Sequence, residues 1–270
     1  MNASGTASFY DELAPSYHLL YGDWEASVKR QGAALAELLR ADGVAPGEPV
    51  HDAACGIGTQ TLGLLQHDYR VSASDLSPGA VERLNAELAR GNLPAEARVD
   101  DLRTLEHVPS GSLAAVIACD NSIPHLLTDE EILRAFKCCH RCLRRGGVAV
   151  FSVRDYAVIE RRNPDVRPYG MRVEGGCRFL AVQVWEWDGD CYDLRMIGRK
   201  RVMQAWKIAS SGGFDSLRCA AIAKSIIMAV AAGDITRADA DGFVAALEER
   251  ARAGAFFANA FGYNVAGTKM

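Results

Sequence analysis

The chain has 270 residues, 49% hydrophobic and 24% charged, with a formal net charge of −4. That is enough chain to bury a full core, and the acidic balance argues against nucleic acid or an anionic membrane as a partner. The polar start at Met1-Asn2-Ala3-Ser4-Gly5 has no apolar run behind it, and the longest apolar stretch, 219–233, is interrupted by Lys224 and is too short for a bilayer.

A cytoplasmic protein is expected, and its cysteine usage agrees. Eight cysteines (55, 119, 138, 139, 142, 177, 191 and 219) in such a chain read as free thiols in a reducing compartment. The cluster Cys138-Cys139-His140-Arg141-Cys142 lacks a second pair at zinc-finger spacing. No metal is expected there, and small thiols packing a helix are the better reading.

In chain order, 1–42 reads as a helical cap. Phe9-Tyr10-Asp11-Glu12-Leu13-Ala14 is one amphipathic turn. A longer helix starts at the N-cap Asp23, carries Val28, Ala33, Leu35, Leu38 and Leu39 at helical spacing, and ends at Asp42-Gly43. Tyr17, His18, Tyr21 and Trp24 form an aromatic cluster before it, which serves equally well as a packing staple.

A cofactor-binding core is expected over 48–156. Val50-His51-Asp52-Ala53-Ala54-Cys55-Gly56-Ile57-Gly58-Thr59 is a strand end, a glycine turn and a helix start. Bare backbone at Gly56 and Gly58 allows a sharp turn and a close ligand. A helix over 59–68 leads to a strand over 70–74 that ends at Asp75, an acid placed to accept ribose hydroxyls, although Asp75-Leu76-Ser77-Pro78 also makes a good capping turn. The helix 77–90 and the strand 95–99 end in Asp100-Asp101-Leu102.

The near-continuous apolar run 113–119 marks a central strand, stopping at Asp120-Asn121-Ser122-Ile123-Pro124-His125. A helix over 129–144 and a strand over 148–153 follow, delivering Arg154-Asp155-Tyr156. Repeated β-α alternation implies a doubly wound, mostly parallel sheet with its ligand at the carboxyl ends of the strands.

From 157 the pattern changes. Strands over 177–187 and 191–197, joined at Asp188-Gly189, predict an antiparallel hairpin insertion (157–205) forming a wall or lid on the substrate side. Beyond it, 206–270 reads as a helix end followed by a short strand within 212–217, an apolar helix 219–232, a helix to about Arg252 and a closing hairpin-like strand over 255–268. Ile226-Ile227-Met228 would suit a homodimer interface.

The glycine turn lacks the third glycine of G-x-G-x-x-G, since Thr61 stands there. Asp52 at the end of the first strand would repel phosphate and attract an amine. A ribose-bearing, amino-bearing ligand without phosphate is S-adenosylmethionine.

These residues carry a family resemblance. Asp52 to Gln60 resembles the first motif of class I S-adenosylmethionine-dependent methyltransferases, Asp75 their ribose-binding acid, and Asp101-Leu102-Arg103 their adenine-binding turn. Leu143-Arg144-Arg145-Gly146-Gly147 is similar to the turn before their fifth strand. Phe9-Tyr10-Asp11, Tyr17-His18-Leu19, Asp23-Trp24-Glu25, Asn121-Ser122 with His125-Leu126, and Arg154-Asp155-Tyr156 resemble bacterial glycine/sarcosine N-methyltransferases, over roughly 8–195. The C-terminal third departs from that branch, and its final Gly254-Ala255-Phe256-Phe257-Ala258 to Gly267 more resembles methyltransferases of small natural products.

The resemblance implies a Rossmann-like, seven-stranded, mostly parallel sheet in a single methyltransferase domain. It also implies methyl transfer by in-line displacement to the nitrogen of a small amine or amino acid. Cofactor contacts would come from Tyr17, Trp24, Arg30, Asp52, Ala54, Gly56, Gly58, Asp75, Leu76, Asp101, Leu102, Cys119 and Asp120. Arg154 would clamp a carboxylate, Asn121 would orient the amine, and His125 and Tyr17 would line the transfer cavity. Open alternatives are O- or C-methylation of a secondary-metabolite scaffold, and a non-catalytic nucleotide-binding module or nicotinamide enzyme.

Overall fold

The computed structural model describes residues 3–202 and 262–268. The chain divides into two compact units, Met1–Tyr156 with Ala260–Met270, and Ala157–Asn259. The expected helix end and short strand within 212–217, the helices 219–232 and 236–252, and the interface at Ile226-Ile227-Met228 lie outside the described residues.

In the first unit, α1 (Ala3–Leu13) leads through a 3₁₀ turn (Ala14–Leu20) to α2 (Trp24–Ala41). Asp23 caps α2 by accepting from the Ala26 N–H at 2.9 Å, relieving an orphan donor of the first turn. Then come β1 (Pro49–Asp52), α3 (Thr59–Leu65), β2 (Arg70–Asp75), α4 (Pro78–Arg90), β3 (Ala97–Val99), β4 (Leu113–Ala118), α5 (Asp129–Cys142) and β5 (Leu143–Arg154). The strands stand in the order β3-β2-β1-β4-β5-β9, where β9 is Gly262–Thr268. All neighbours are parallel except β5 and β9. The order reverses between β1 and β4, so their carboxyl ends open a crevice there.

Side-chain alternation divides the core between the two faces of the sheet. Val50, Val71, Ala115, Ile117, Val148 and Val150 pack with Leu35, Ala36 and Leu39 of α2 and Leu64 of α3. Ala73 and Ala97 continue that face under Val81, Leu84 and Leu88 of α4. Val116 points the other way, toward Cys139 and Cys142 of α5. The thiols of the 138–142 cluster are thus helix packing, and Cys138 Sγ donates to the Arg103 carbonyl at 3.0 Å.

Three boundaries differ from expectation. Helix α1 begins at Ala3 rather than near Phe9. Helix α5 ends at Cys142 rather than Arg144, because Leu143 is buried and takes extended geometry. It pairs with Leu113 at the start of a bulged β5, whose regular register resumes at Val148. The described residues supply six strands of the main sheet, where seven were expected.

The second unit contains β6 (Asp165–Glu174), β7 (Cys177–Asp188) and β8 (Cys191–Val202), antiparallel in that order. The expected hairpin is therefore a three-stranded sheet. Strand β6 escaped the sequence reading because Pro168 interrupts it; the register shifts between Pro168 and Gly170, on an edge strand where proline is tolerated. On one face of this sheet Trp185 stacks on Tyr192 of β8, with centroids 4.2 Å apart, and lies under the Arg167 guanidinium of β6 at 3.7 Å.

Candidate active site

A cleft in the first unit opens above the carboxyl ends of β1, β2 and β4, and each wall is set by a local chain reversal. At its centre Gly56 and Gly58 have φ of +50° and +98°, left-handed values that suit glycine. Gly58 has a second reason to be glycine: a Cβ there would lie 2.3 Å from Leu84 Cδ1. The turn lines the cleft from Ala53 to Ile57.

Asp75 lies beside this turn, its Oδ2 accepting from the Gly56 N–H at 2.8 Å and its Oδ1 from the Ser77 N–H at 2.9 Å. Burial raises its pKa despite these bonds. Each oxygen keeps acceptor capacity for a hydroxyl.

One end of the cleft is made by Leu76, Asp101, Leu102, Arg103, Leu126 and Glu131. Asp101 accepts from the Arg103 backbone N–H at 2.8 Å and from its guanidinium Nη2 at 2.6 Å. Burial works against the Asp101 charge, but the Arg103 hydrogen bonds outweigh it and hold its carboxyl below the usual range. Arg103 also pairs with Glu131, tying this turn to the first turn of α5.

The other end is aromatic and acidic. Tyr10, Tyr17 and Tyr21 form a ladder with ring centroids 6.0 and 6.2 Å apart. The Tyr10 hydroxyl is 2.9 Å from His125 Nε2. Burial, then the nearby Arg154 charge, lowers the His125 pKa and keeps the imidazole neutral at pH 7. Trp24 Nε1 donates to Thr59 Oγ1 at 2.9 Å, Thr59 donates to the Tyr21 hydroxyl at 3.2 Å, and Tyr21 donates to Asp120 Oδ2 at 3.1 Å.

Asp120 and Asn121 both have positive φ, +53° and +70°, a costly conformation for non-glycine residues that tends to persist at functional sites. Cross-strand hydrogen bonds hold them in it. Asp120 N donates to Ser152 Oγ, Asn121 N to the Ser152 carbonyl, and Asn121 Oδ1 accepts from the Arg154 N–H at 3.1 Å. Asn121 Nδ2 donates to the Tyr156 hydroxyl at 2.6 Å.

Of the residues anticipated from sequence, Tyr17, Ala54, Gly56, Asp75, Leu76, Asp101, Leu102, Cys119, Asp120 and His125 line the cleft. Six others stand behind it. Asp52 is fully buried beneath the turn, its Oδ2 accepting from Thr61 Oγ1 at 2.7 Å. Gly58 packs on Leu84, Trp24 supports Thr59, and Arg30 bonds Ser27 on its own helix at 3.2 Å. Asn121 straps β4 to β5, and Arg154 reaches the cleft wall through its charge on His125. The sequence reading did not assign site roles to Tyr10, Tyr21, Thr59 or Arg103. Tyr17 and Tyr21 already stood in the aromatic cluster before α2, and Tyr10 joins them only through the chain reversal after α1.

The cleft fits S-adenosylmethionine in chemistry and order. It offers an acid–backbone turn for a purine, an acid for a ribose, bare backbone without a cationic side chain at the glycine turn, and carboxylate with phenols for an amino-acid tail.

Comparison with known proteins agrees. Residues 50–147 match a family described as "Methyltransferase domain". YqeM of Bacillus subtilis (strain 168), a protein assigned to the methyltransferases, is 27% identical over 205 residues, covering 70% of this chain and 75% of YqeM. A glycine/sarcosine N-methyltransferase of Parasynechococcus marenigrum (strain WH8102) is 26% identical over 50% of this chain, which spans only 46% of that relative. In structure, the chain is similar to S-adenosylmethionine-bound CalS10, an amino pentose methyltransferase of Micromonospora echinaspora. The TM-score is 0.51 at 18% identity, over 64% of this chain and 75% of that one. Residues 50–147 thus match the methyltransferase domain family, and the chain shares the fold of S-adenosylmethionine-dependent methyltransferases.

Proposed function

We propose that the enzyme methylates the nitrogen of a small amine, such as an amino acid or an amino sugar. The observation that carries this reading is the neutral His125, hydrogen-bonded to Tyr10, in the same cleft as the Asp120 carboxylate. An amine arrives as a cation at neutral pH. Asp120 supplies the opposite charge to hold it, and neutral His125, through the Tyr10 hydroxyl, supplies a place for its proton.

The cofactor supplies an electrophilic methyl group on a cationic sulfur. In the proposed placement Asp75 holds the ribose hydroxyls, the Leu102 turn receives the purine, and the Gly56 turn with Tyr17 and Tyr21 holds the amino-acid tail. With its proton passed to Tyr10 and His125, the amine nitrogen would present a free lone pair to the methyl group that bound S-adenosylmethionine would supply. The residues contribute alignment above all, because a displacement in line needs reacting atoms about 3 Å apart. Arg154, whose charge is felt at His125, supplies the opposite charge for an acceptor that carries a carboxylate.

The glycine/sarcosine N-methyltransferase relative and the amino pentose methyltransferase neighbour both support a nitrogen or small polar acceptor. The test is a panel of glycine, sarcosine, amino sugars, phenols and enols, read by release of S-adenosylhomocysteine. Turnover of amines alone is expected; turnover confined to phenols or enols overturns the reading.

A further inference from the structure

We propose that Asp11 is a positioning residue for cofactor retention, latching α1 across the cleft by capping α4 from outside. The proposal rests on the placement of the cofactor in this cleft.

Helix α1 contributes Thr6, Ala7 and Tyr10 to the cleft wall. One turn beyond Ala7, Asp11 Oδ1 accepts from Ser77 Oγ at 2.5 Å and from the Gly79 N–H at 2.8 Å. Helix α4 begins at Pro78, so its early donors can be followed one by one. Pro78 has no N–H. Gly79 donates to Asp11, Ala80 donates to the N-cap Ser77 Oγ at 3.0 Å, and Val81 donates to the Ser77 carbonyl at 3.1 Å. The donor at Gly79 is thus satisfied by a different helix, and the acid sits where the α4 dipole favours negative charge.

Two further observations tie this contact to the cleft. Gly79 is glycine for proximity, since a Cβ there would come within 3.1 Å of Asp11 Oδ1 and 3.2 Å of its Cα. Ser77 serves both acids, donating its hydroxyl to Asp11 and its backbone N–H to Asp75 at 2.9 Å. The turn that shapes the ribose acid is also the docking point of the helix that carries Tyr10.

The test compares Asp11→Ala, Asp11→Asn, Gly79→Ala and Asp75→Ala by S-adenosylhomocysteine calorimetry and steady-state kinetics. Asp11→Ala is expected to weaken S-adenosylhomocysteine and raise KM for S-adenosylmethionine by ~10-fold or more, with kcat at saturation within ~3-fold. Asp11→Asn keeps an oxygen that accepts both bonds and should stay within ~3-fold of wild type on each measure. Gly79→Ala improves helix propensity in α4 yet pushes Asp11 away, so its KM should rise without loss of thermal stability.

Unchanged affinity in Asp11→Ala with weakened affinity in Asp75→Ala overturns the latch alone. Unchanged affinity in both overturns the placement and the latch with it. A loss in Asp11→Asn equal to that in Asp11→Ala, or a fall in kcat without a rise in KM, also overturns the latch.

Discussion

His51 and Asp52, adjacent on β1, are buried on opposite faces of the sheet and have pKa values displaced in opposite directions. His51 Nδ1 and Nε2 lie 2.8 and 2.9 Å from the hydroxyls of Ser72 and Ser74. Asp52 turns to Thr61 on the other side. Burial lowers His51 to about 4 and raises Asp52 to about 7.

The two therefore oppose each other in the pH dependence of stability. The contribution of His51 is present above its ordinary value of 6.5 and is lost as pH falls through about 4. That of Asp52 is present below its ordinary 3.8 and is lost as pH rises through about 7. Relative to wild type, Asp52→Asn should gain stability as pH rises from 4 to 7, and His51→Gln should gain as pH falls from 6.5 to 4. Urea unfolding across this range checks both signs; parallel curves would refute them.

Asp52 also links cofactor charge to protons. The added positive charge of the cofactor near a carboxylate that titrates at about 7 favours ionisation. Binding of S-adenosylmethionine at pH 7 should release a proton, seen as a buffer-dependent enthalpy in calorimetry. Neutral-sulfur S-adenosylhomocysteine should release less, and Asp52→Asn should remove the effect. Equal enthalpies in phosphate and Tris for the wild type would contradict the linkage.

For the proposed proton acceptor, Tyr10→Phe and His125→Ala should each lower kcat by ~10² while leaving S-adenosylhomocysteine affinity within ~3-fold. Because His125 is already neutral at pH 7, the wild-type rate should not fall as pH rises from 7 to 9. A rate that declines over that interval would show that the protonated imidazole is the working form.

Arg154 separates acceptor classes. Arg154→Ala should raise KM for amines bearing a carboxylate by ~10–100-fold and leave amines without one unaffected. A uniform effect on both would make Arg154 a support for His125 alone.

The order of helices and parallel strands was legible because each element carries its own period and stops. Val50, Val71, Ile117 and Val150 alternate or run apolar within strands, and Asp23, Ser77 and Thr128 cap the helices that follow. Gly56, Gly58 and Asp75 announced the glycine turn and its neighbouring acid for the same local reason: a backbone reversal and a strand-end acid need no distant partner. Strand β6 was not legible, since its pairing with β7 arises from a non-local register that Pro168 obscures.

Long-range geometry alone settled which side of an element each polar group faces and what meets it there. Residue type and strand position suggested a cofactor role for Asp52, but the rotation of β1 in the sheet turns it under the backbone toward Thr61. In the sequence Asp11 belongs to the amphipathic turn 9–14 and Gly79 lies within the helix 77–90. Only the docking of α1 on α4 makes one the cap of the other, because hydrogen bonds across sixty-eight residues of chain have no local signature.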